Sequence, residues 1–393
     1  MSLTQRSIPS LLLMISVVAG CTKTATTVIV LDPVKFTVVR ENGKKKVLAL
    51  EAEQLFKQAG REYDDEKFEQ SVRTYRLLIK EFPRSTFVIA SHYNAALALE
   101  ALKRYGDAAK HYEIVAKAKR GERDARDSLM RLAFCYDKLE RWSGVVSAVD
   151  RIDVDKLGLL DRIEAFARRG NAQYKLQALD KALVDFRRVM RTYHDKQYQR
   201  VLVGDYWVSQ AQFGIGLVYR AKFDRIKFRL PLSSMKDALQ QKVSLFLRAQ
   251  NNFIKAIYLH NNYWAVVAGF HAANLYESFY RDAMEAEVPK TLTQEELEIY
   301  YAELKRHVMP LLRRAISIYE KNVRMSVRLG EQNPWVSKSR AQLVRLKTIL
   351  ANYEKTLNAP KQKLKPTRSS IKRRPPKRRT LTDDGAPKSG QPG

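Results

Sequence analysis

The chain reads as an all-α protein of stacked helical hairpins, and three observations carry that reading. Four segments, starting near Ala52, Ile89, Arg126 and Ile163, line up at a constant offset of 37 residues. Within them, small and bulky side chains recur at fixed places, which is a packing code for helices that approach closely. Apolar residues make up 45% of the 393 positions, enough for a substantial core. Beyond the extreme N-terminus no stretch approaches the ~18 uncharged apolar residues of a membrane span.

In register, the eighth place of each copy is Ala59, Ala96, Ala133 and Gly170, and the twentieth is Ser71, Ala108, Val145 and Ala182. These let two helices close on each other. The seventeenth place is Phe68, Tyr105, Trp142 and Leu179, and the twenty-fourth is Tyr75, Tyr112, Val149 and Phe186. These fill the space toward the next copy. The pattern resembles the tetratricopeptide repeat (TPR), a helix–turn–helix unit with a period of about 34 residues. Pro83, at the thirty-second place of the first copy, stands where that family ends its second helix. The resemblance implies a right-handed solenoid of about six helix pairs, with the extra residues of each copy in its loops. Two departures stand out: His92 where a large apolar residue is usual, and Val145 where alanine is preferred.

Residues 51–200 hold the regular repeats, and 201–358 hold irregular ones. Ser209 to Arg220 reads as a first helix whose partner is delayed by residues 222–247, until Ala249, Phe253 and Ala256 resume the spacing. Tyr263 to Arg281 reads as another first helix. After an insertion near 285–296, Ala315 and Tyr319 repeat the small–large pair, with Pro310 expected near that helix's start, where proline is tolerated. Trp335 to Leu357 reads as the closing helix that a solenoid requires. Cys135 falls on the inner face of a helix, as a small hydrophobe.

The N-terminus is of another kind. Arg6 precedes an apolar run from Leu11 to Val18, and Val18-Ala19-Gly20-Cys21 follows. A charged start, a short apolar stretch and small residues at the cut mark a secretory signal. The tetrad resembles the lipobox of bacterial lipoproteins. That resemblance implies cleavage after residue 20 and covalent lipid on Cys21, a palmitate-bearing anchor. Residues 21–50 read as a tether with extended character. Within them Val28 to Leu31 and Phe36 to Val39 look extended and Asn42-Gly43 is a turn signal, so a short hairpin is the alternative to a plain tether. Thr22, in place of the aspartate that retains enteric lipoproteins at the inner membrane, points to the outer membrane, facing the periplasm.

Net charge is +29, and removing the signal takes away only Arg6. Helix faces such as Arg187-Arg188, Arg313-Arg314 and Lys338/Arg340 contribute. The densest run is Lys372-Arg373-Arg374-Pro375-Pro376-Lys377-Arg378-Arg379. It lies in a tail, residues 359–393, with eleven Lys or Arg against Asp383 and Asp384. Its composition predicts disorder. For an exported chain, lipid headgroups, lipopolysaccharide and acidic proteins rank above nucleic acid as partners of such charge.

No catalytic constellation is present. The six histidines lack the spacing of a zinc site, and there is no phosphate loop or nucleophile elbow. We therefore expect no enzyme activity, metal, cofactor or small-molecule substrate. Stacked hairpins present their first helices to an inner groove. There the sequence offers Phe56, Tyr63, Tyr93, Met130, Phe134, Asp137, Asn171, Tyr174 and Lys175, an aromatic strip with a few polar handles. Apolar capture of an extended or helical segment of an envelope protein is the expected use. The architecture is similar to the lipoprotein family of the outer-membrane β-barrel assembly machine. It is similar as well to the repeat lipoproteins of gliding-motility machines. Either resemblance implies an interaction scaffold. The alternative is a tether whose tail grips an anionic surface.

Overall fold

The computed structural model describes residues 34–358 apart from 42–43, 119–121, 196–197 and 199. The signal, Cys21, the Asn42-Gly43 turn and the basic tail lie outside the described residues. A β-hairpin comes first: Lys35–Glu41 (β1) pairs antiparallel with Lys44–Leu50 (β2), Lys35 opposite Leu50. Lys35 ties it to the helical body through Glu81 at 3.5 Å and lies 5.4 Å from the centre of the Phe82 ring.

The regular region follows as Ala52–Asp64 (α1), Phe68–Glu81 (α2), Val88–Ala101 (α3), Tyr105–Ala118 (α4), Arg123–Lys138 (α5), Trp142–Asp150 (α6), Leu159–Lys175 (α7) and Leu179–His194 (α8). Each of these helices packs on the next, and α1 also touches α3 and α5 touches α7, so that first helices lie on a common side. The small places do what their size allows. Ala59, Ala96, Ala133, Ala108 and Ala182 are fully buried, and Ser71 donates its hydroxyl to the Ala59 carbonyl at 2.8 Å. Tyr75, Tyr112, Val149 and Phe186 fill the joints between copies. At the departing fourth place of the second copy, His92 finds His111 of α4 instead of apolar neighbours, Nδ1 to Nδ1 at 2.9 Å.

The turn inside each hairpin repeats as strictly as the core. Glu66, Lys103, Glu140 and Gln177 all adopt left-handed backbone, with φ between 54° and 60°. They stand 37 residues apart. Each turn is closed by a backbone bond reaching five residues back: Lys67 to Glu62, Arg104 to Leu99, Arg141 to Tyr136, Ala178 to Gln173, at 2.8–2.9 Å. That closure satisfies a helix-end carbonyl, and it outweighs the steric cost of ~1–2 kcal/mol that an L-residue meets in this region.

The later hairpins are longer. They comprise Tyr206–Arg225 (α9), Leu232–Ile257 (α10), Asn262–Met284 (α11), Gln294–Arg328 (α12) and Pro334–Asn358 (α13). The delayed partner of α9 is one continuous helix, since most of residues 222–247 belong to α9 and α10. Pro310 is not near a helix start. Thr293 and Glu296 form a reciprocal capping box, which starts α12 sixteen residues earlier and leaves Pro310 on its exposed side. The chain divides at Leu350 into two units. Residues 34–350 carry the packed core; of the second unit only the last turns of α13 are described. No helix among the described residues is long and apolar enough to cross a membrane.

Two features hold the longer hairpins. Gly170 of α7 and Gly214 of α9 both face the Phe186 ring, so that a Cβ would come within 2.8 Å and 2.5 Å of its carbons. Lys242 of α10 is wholly buried. Its ammonium pairs with Asp282 of α11 at 2.7 Å, donates to the carbonyls of Phe223 and Ile226 at 2.9 and 2.8 Å, and sits 3.8 Å from the centre of the Phe223 ring. It thereby caps the C-terminus of α9, where carbonyls lack partners and the helix dipole is negative.

Candidate functional site

On the side of the first helices, a cleft of about 1140 Å³ is bounded by α3, α5 and the start of α7. Helical spacing places Tyr93 and Asn94 of α3, Met130 and Phe134 of α5, and Glu164 and Arg168 of α7 along it. Its floor is fixed by polar contacts between neighbouring first helices. The Tyr93 hydroxyl donates to Asp127. Arg131 reaches Glu100 at 3.4 Å and Asp127 at 3.8 Å. Beneath them, burial pushes the Cys135 thiol up to about 12, aided by the Glu100 carboxylate. Cys135 is therefore a neutral packing residue. Burial likewise raises Glu100 above the usual carboxylate range. Burial and then the Asp127 bond push Tyr93 up to about 12.

Arg168 forms the far wall. Only 7% exposed, it donates from Nε to Glu164 at 2.7 Å and from Nη1 to Asp137 at 2.9 Å. Its guanidinium lies 5.2 Å from the Phe134 ring centre and 4.5 Å from that of Trp207. Two carboxylates and two aromatic faces hold it without freedom to swing. The rim carries both signs, with Arg123, Asp124 and Arg126 on α5, Lys156 from the segment leading into α7 and Asp161 from its first turn.

Of the residues expected to face a groove, Tyr93, Met130 and Phe134 line this cleft, and Asp137 shapes it by holding Arg168. Phe56 packs instead on Phe87 and Tyr75, with ring centres 5.1 and 5.7 Å apart. Tyr63 packs edge-on against Phe68 at 5.3 Å. The Lys175 ammonium sits 5.6 Å from the centre of Trp142. Tyr174 packs against the core of the later hairpins, and Asn171 is half-buried one turn away on α7. The charged rim was missed because it lies a turn or two N-terminal to the aligned places. Moving back along α5 from Phe134 in steps of three and four residues reaches Met130, Asp127, Arg126 and Arg123, the same helix face. Trp207 lies in the next hairpin, outside the regular copies.

The His92–His111 pair sits between α3 and α4. Burial, then the neighbouring His92 and Arg76, bring His111 down to about 4. An unfolded imidazole takes its proton near pH 6.5. Between those values the unfolded chain binds more protons, so stability is lost as pH falls from about 6.5 to 4. His271, packed among aromatic rings, acts the same way down to about 3. Urea midpoints measured from pH 7 to 4 should therefore decline, and His111→Gln should make the decline shallower without removing it.

No family model matches the chain, and no curated protein matches it in sequence. Among solved structures it is similar to YrrB, described as a TPR protein with an unusual peptide-binding site, at 18% identity over 50% of this chain and 86% of that one, TM-score 0.35. It is similar to a tetratricopeptide repeat protein of Parabacteroides merdae at 14% identity, covering 76% and 98% of the two chains, TM-score 0.36. A third is BtubC from P. vanneervenii, at 12% identity over 85% and 99%, TM-score 0.34. The first two are described as tetratricopeptide repeat proteins. The hairpin-repeat fold stands on the packing of this chain's own helices.

Proposed function

We propose that this chain is a non-catalytic scaffold of the bacterial envelope, anchored through lipid on Cys21 to the outer membrane and facing the periplasm, whose α3–α5–α7 cleft holds a segment of a protein partner. The observation that supports it is the cleft itself: an open volume with an aromatic floor, walls locked by Arg168 and Arg131, and a rim of both charge signs. A preorganised surface of this kind loses little freedom on binding, which favours affinity. The rim refines the expected partner. Apolar side chains seat on Tyr93, Met130 and Phe134, while acidic and basic groups on either flank meet Arg123 and Asp161. Such a segment is a stretch of polypeptide bound by its middle. The setting proposed for it is an envelope machine of the barrel-assembly or gliding-motility type.

The test uses the full chain in membranes of an expressing bacterium. Crosslinking and affinity capture should recover discrete envelope proteins. Tyr93→Ala with Phe134→Ala should reduce that recovery about tenfold or more, since buried aromatic anchors dominate such interfaces. Labelled palmitate should enter the wild type and not Cys21→Ser. Equal recovery by the double variant, with unchanged circular dichroism, removes the cleft from the function; absence of label removes the anchor.

A further inference from the structure

Helix α10 shows solvent an apolar stripe that none of the other described residues covers. Leu232, Leu239, Val243, Leu247 and Ile254 are 69%, 46%, 37%, 55% and 39% exposed. At about 100° per residue, all five fall within about 80° of the helix circumference. They stand beside the face that buries Phe246, Ala249 and Phe253. An amphipathic helix of a folded domain normally turns such a stripe inward. Here the inward face is already filled, so the second stripe is surplus to the chain's own core.

The spacing of the stripe is what identifies its occupant. Successive members are 7, 4, 4 and 7 residues apart, so the series reads the same in both directions about Val243. The two polar interruptions on that face, Lys236 and Gln250, are also equidistant from Val243. An unrelated partner requires no such mirror. A two-fold contact does, because each residue must suit its counterpart on an identical surface. We propose that α10 is the surface through which two copies of this chain associate, antiparallel, about an axis passing Val243. Leu232 then meets Ile254 of the second copy, Leu239 meets Leu247, and Val243 meets its own equivalent. Lys236 lies against Gln250.

The size of the stripe sets the strength. Residues 232–254 span about 35 Å, and a strip about 10 Å wide on each copy buries roughly 700 Å² in total. A stable specific interface takes roughly 1,200 Å² or more. The dimer is therefore weak and concentration-dependent, with monomer and dimer in exchange.

Sedimentation velocity on the full chain should show the average mass rising from monomer toward dimer between low and high micromolar concentration. Leu239→Lys alone, and Leu247→Glu alone, should each stay monomeric. An equimolar mixture of the two should associate, because the register sets the introduced ammonium of one variant against the introduced carboxylate of the other. In membranes, Val243→Cys should crosslink to dimer on oxidation. Gln241→Cys, exposed and about 160° round the helix from that position, should not. A chain that stays monomeric across the range overturns the proposal. So does dimerisation undisturbed by Leu239→Lys, a mixture that fails to associate, or equal crosslinking at both cysteines. Loss of a different captured protein by Leu239→Lys in an otherwise monomeric chain assigns the stripe to another partner and overturns it equally.

Discussion

Replacing Lys242 with alanine should destabilise the chain by about 3–5 kcal/mol, as expected when one member of a buried ion pair is removed. The physics separates into three losses. Asp282, itself buried, keeps only Lys227, at 3.1 Å, as an ion-pair partner among the described residues. The Ile226 carbonyl loses its donor where α9 ends, while that of Phe223 keeps the Ile226 N–H at 3.2 Å, and a buried acceptor without a partner costs about 1–3 kcal/mol. The ring of Phe223 loses a cation held against its face. Urea unfolding followed by circular dichroism reads the effect. The double change Lys242→Met with Asp282→Leu tests the account: it should recover part of the loss, because no charge is then left buried. A Lys242→Ala variant within about 0.5 kcal/mol of wild type would mean that water reaches the site, contrary to the packing described above.

Phe186→Ala should be comparably costly, at about 3–5 kcal/mol. This ring closes the joint between α7 and α9, with Gly170 on one side and Gly214 on the other. Neither flanking position has a side chain that could move into the space. The reciprocal change, Gly214→Ala, overpacks the same joint and should cost about 1–3 kcal/mol. Together they give a sharp check. Phe186→Leu in the Gly214→Ala background should be less harmful than the sum of the single changes, as neighbours sharing one space are non-additive. Strict additivity would place the two residues in separate environments.

These sites also show how far the sequence carried. The regular hairpins were legible because their joints are made by size: an alanine at residue 59, 96 or 133 and a bulky residue sixteen places later form a contact that the alignment displays directly. The longer hairpins were harder. Residues 222–247 read as a delay before the partner helix, yet within them Lys242 is the buried cap of α9. Nothing local marks it, since its partners Phe223 and Asp282 are 19 and 40 residues away. Pro310 suggested a helix start because proline is best tolerated there. The capping box at Thr293 and Glu296 was present in the sequence and gives the true start. Of the cleft, the aromatic floor was legible as first-helix positions. The clamp on Arg168 was not, because it takes a carboxylate from α5, another from α7 and the ring of Trp207 from a hairpin outside the repeat register.

The left-handed residues at 66, 103, 140 and 177 have a consequence for how such a chain changes in length. Each bend is closed by main-chain atoms alone, and its side chain is glutamate, lysine or glutamine with equal success. No bend depends on the identity of its neighbours. A genetic duplication or excision of one full period therefore rejoins two bends of the same geometry and returns every small and bulky place to register. The molecule can be lengthened or shortened by whole cassettes, and a binding surface laid along them grows in the same increments.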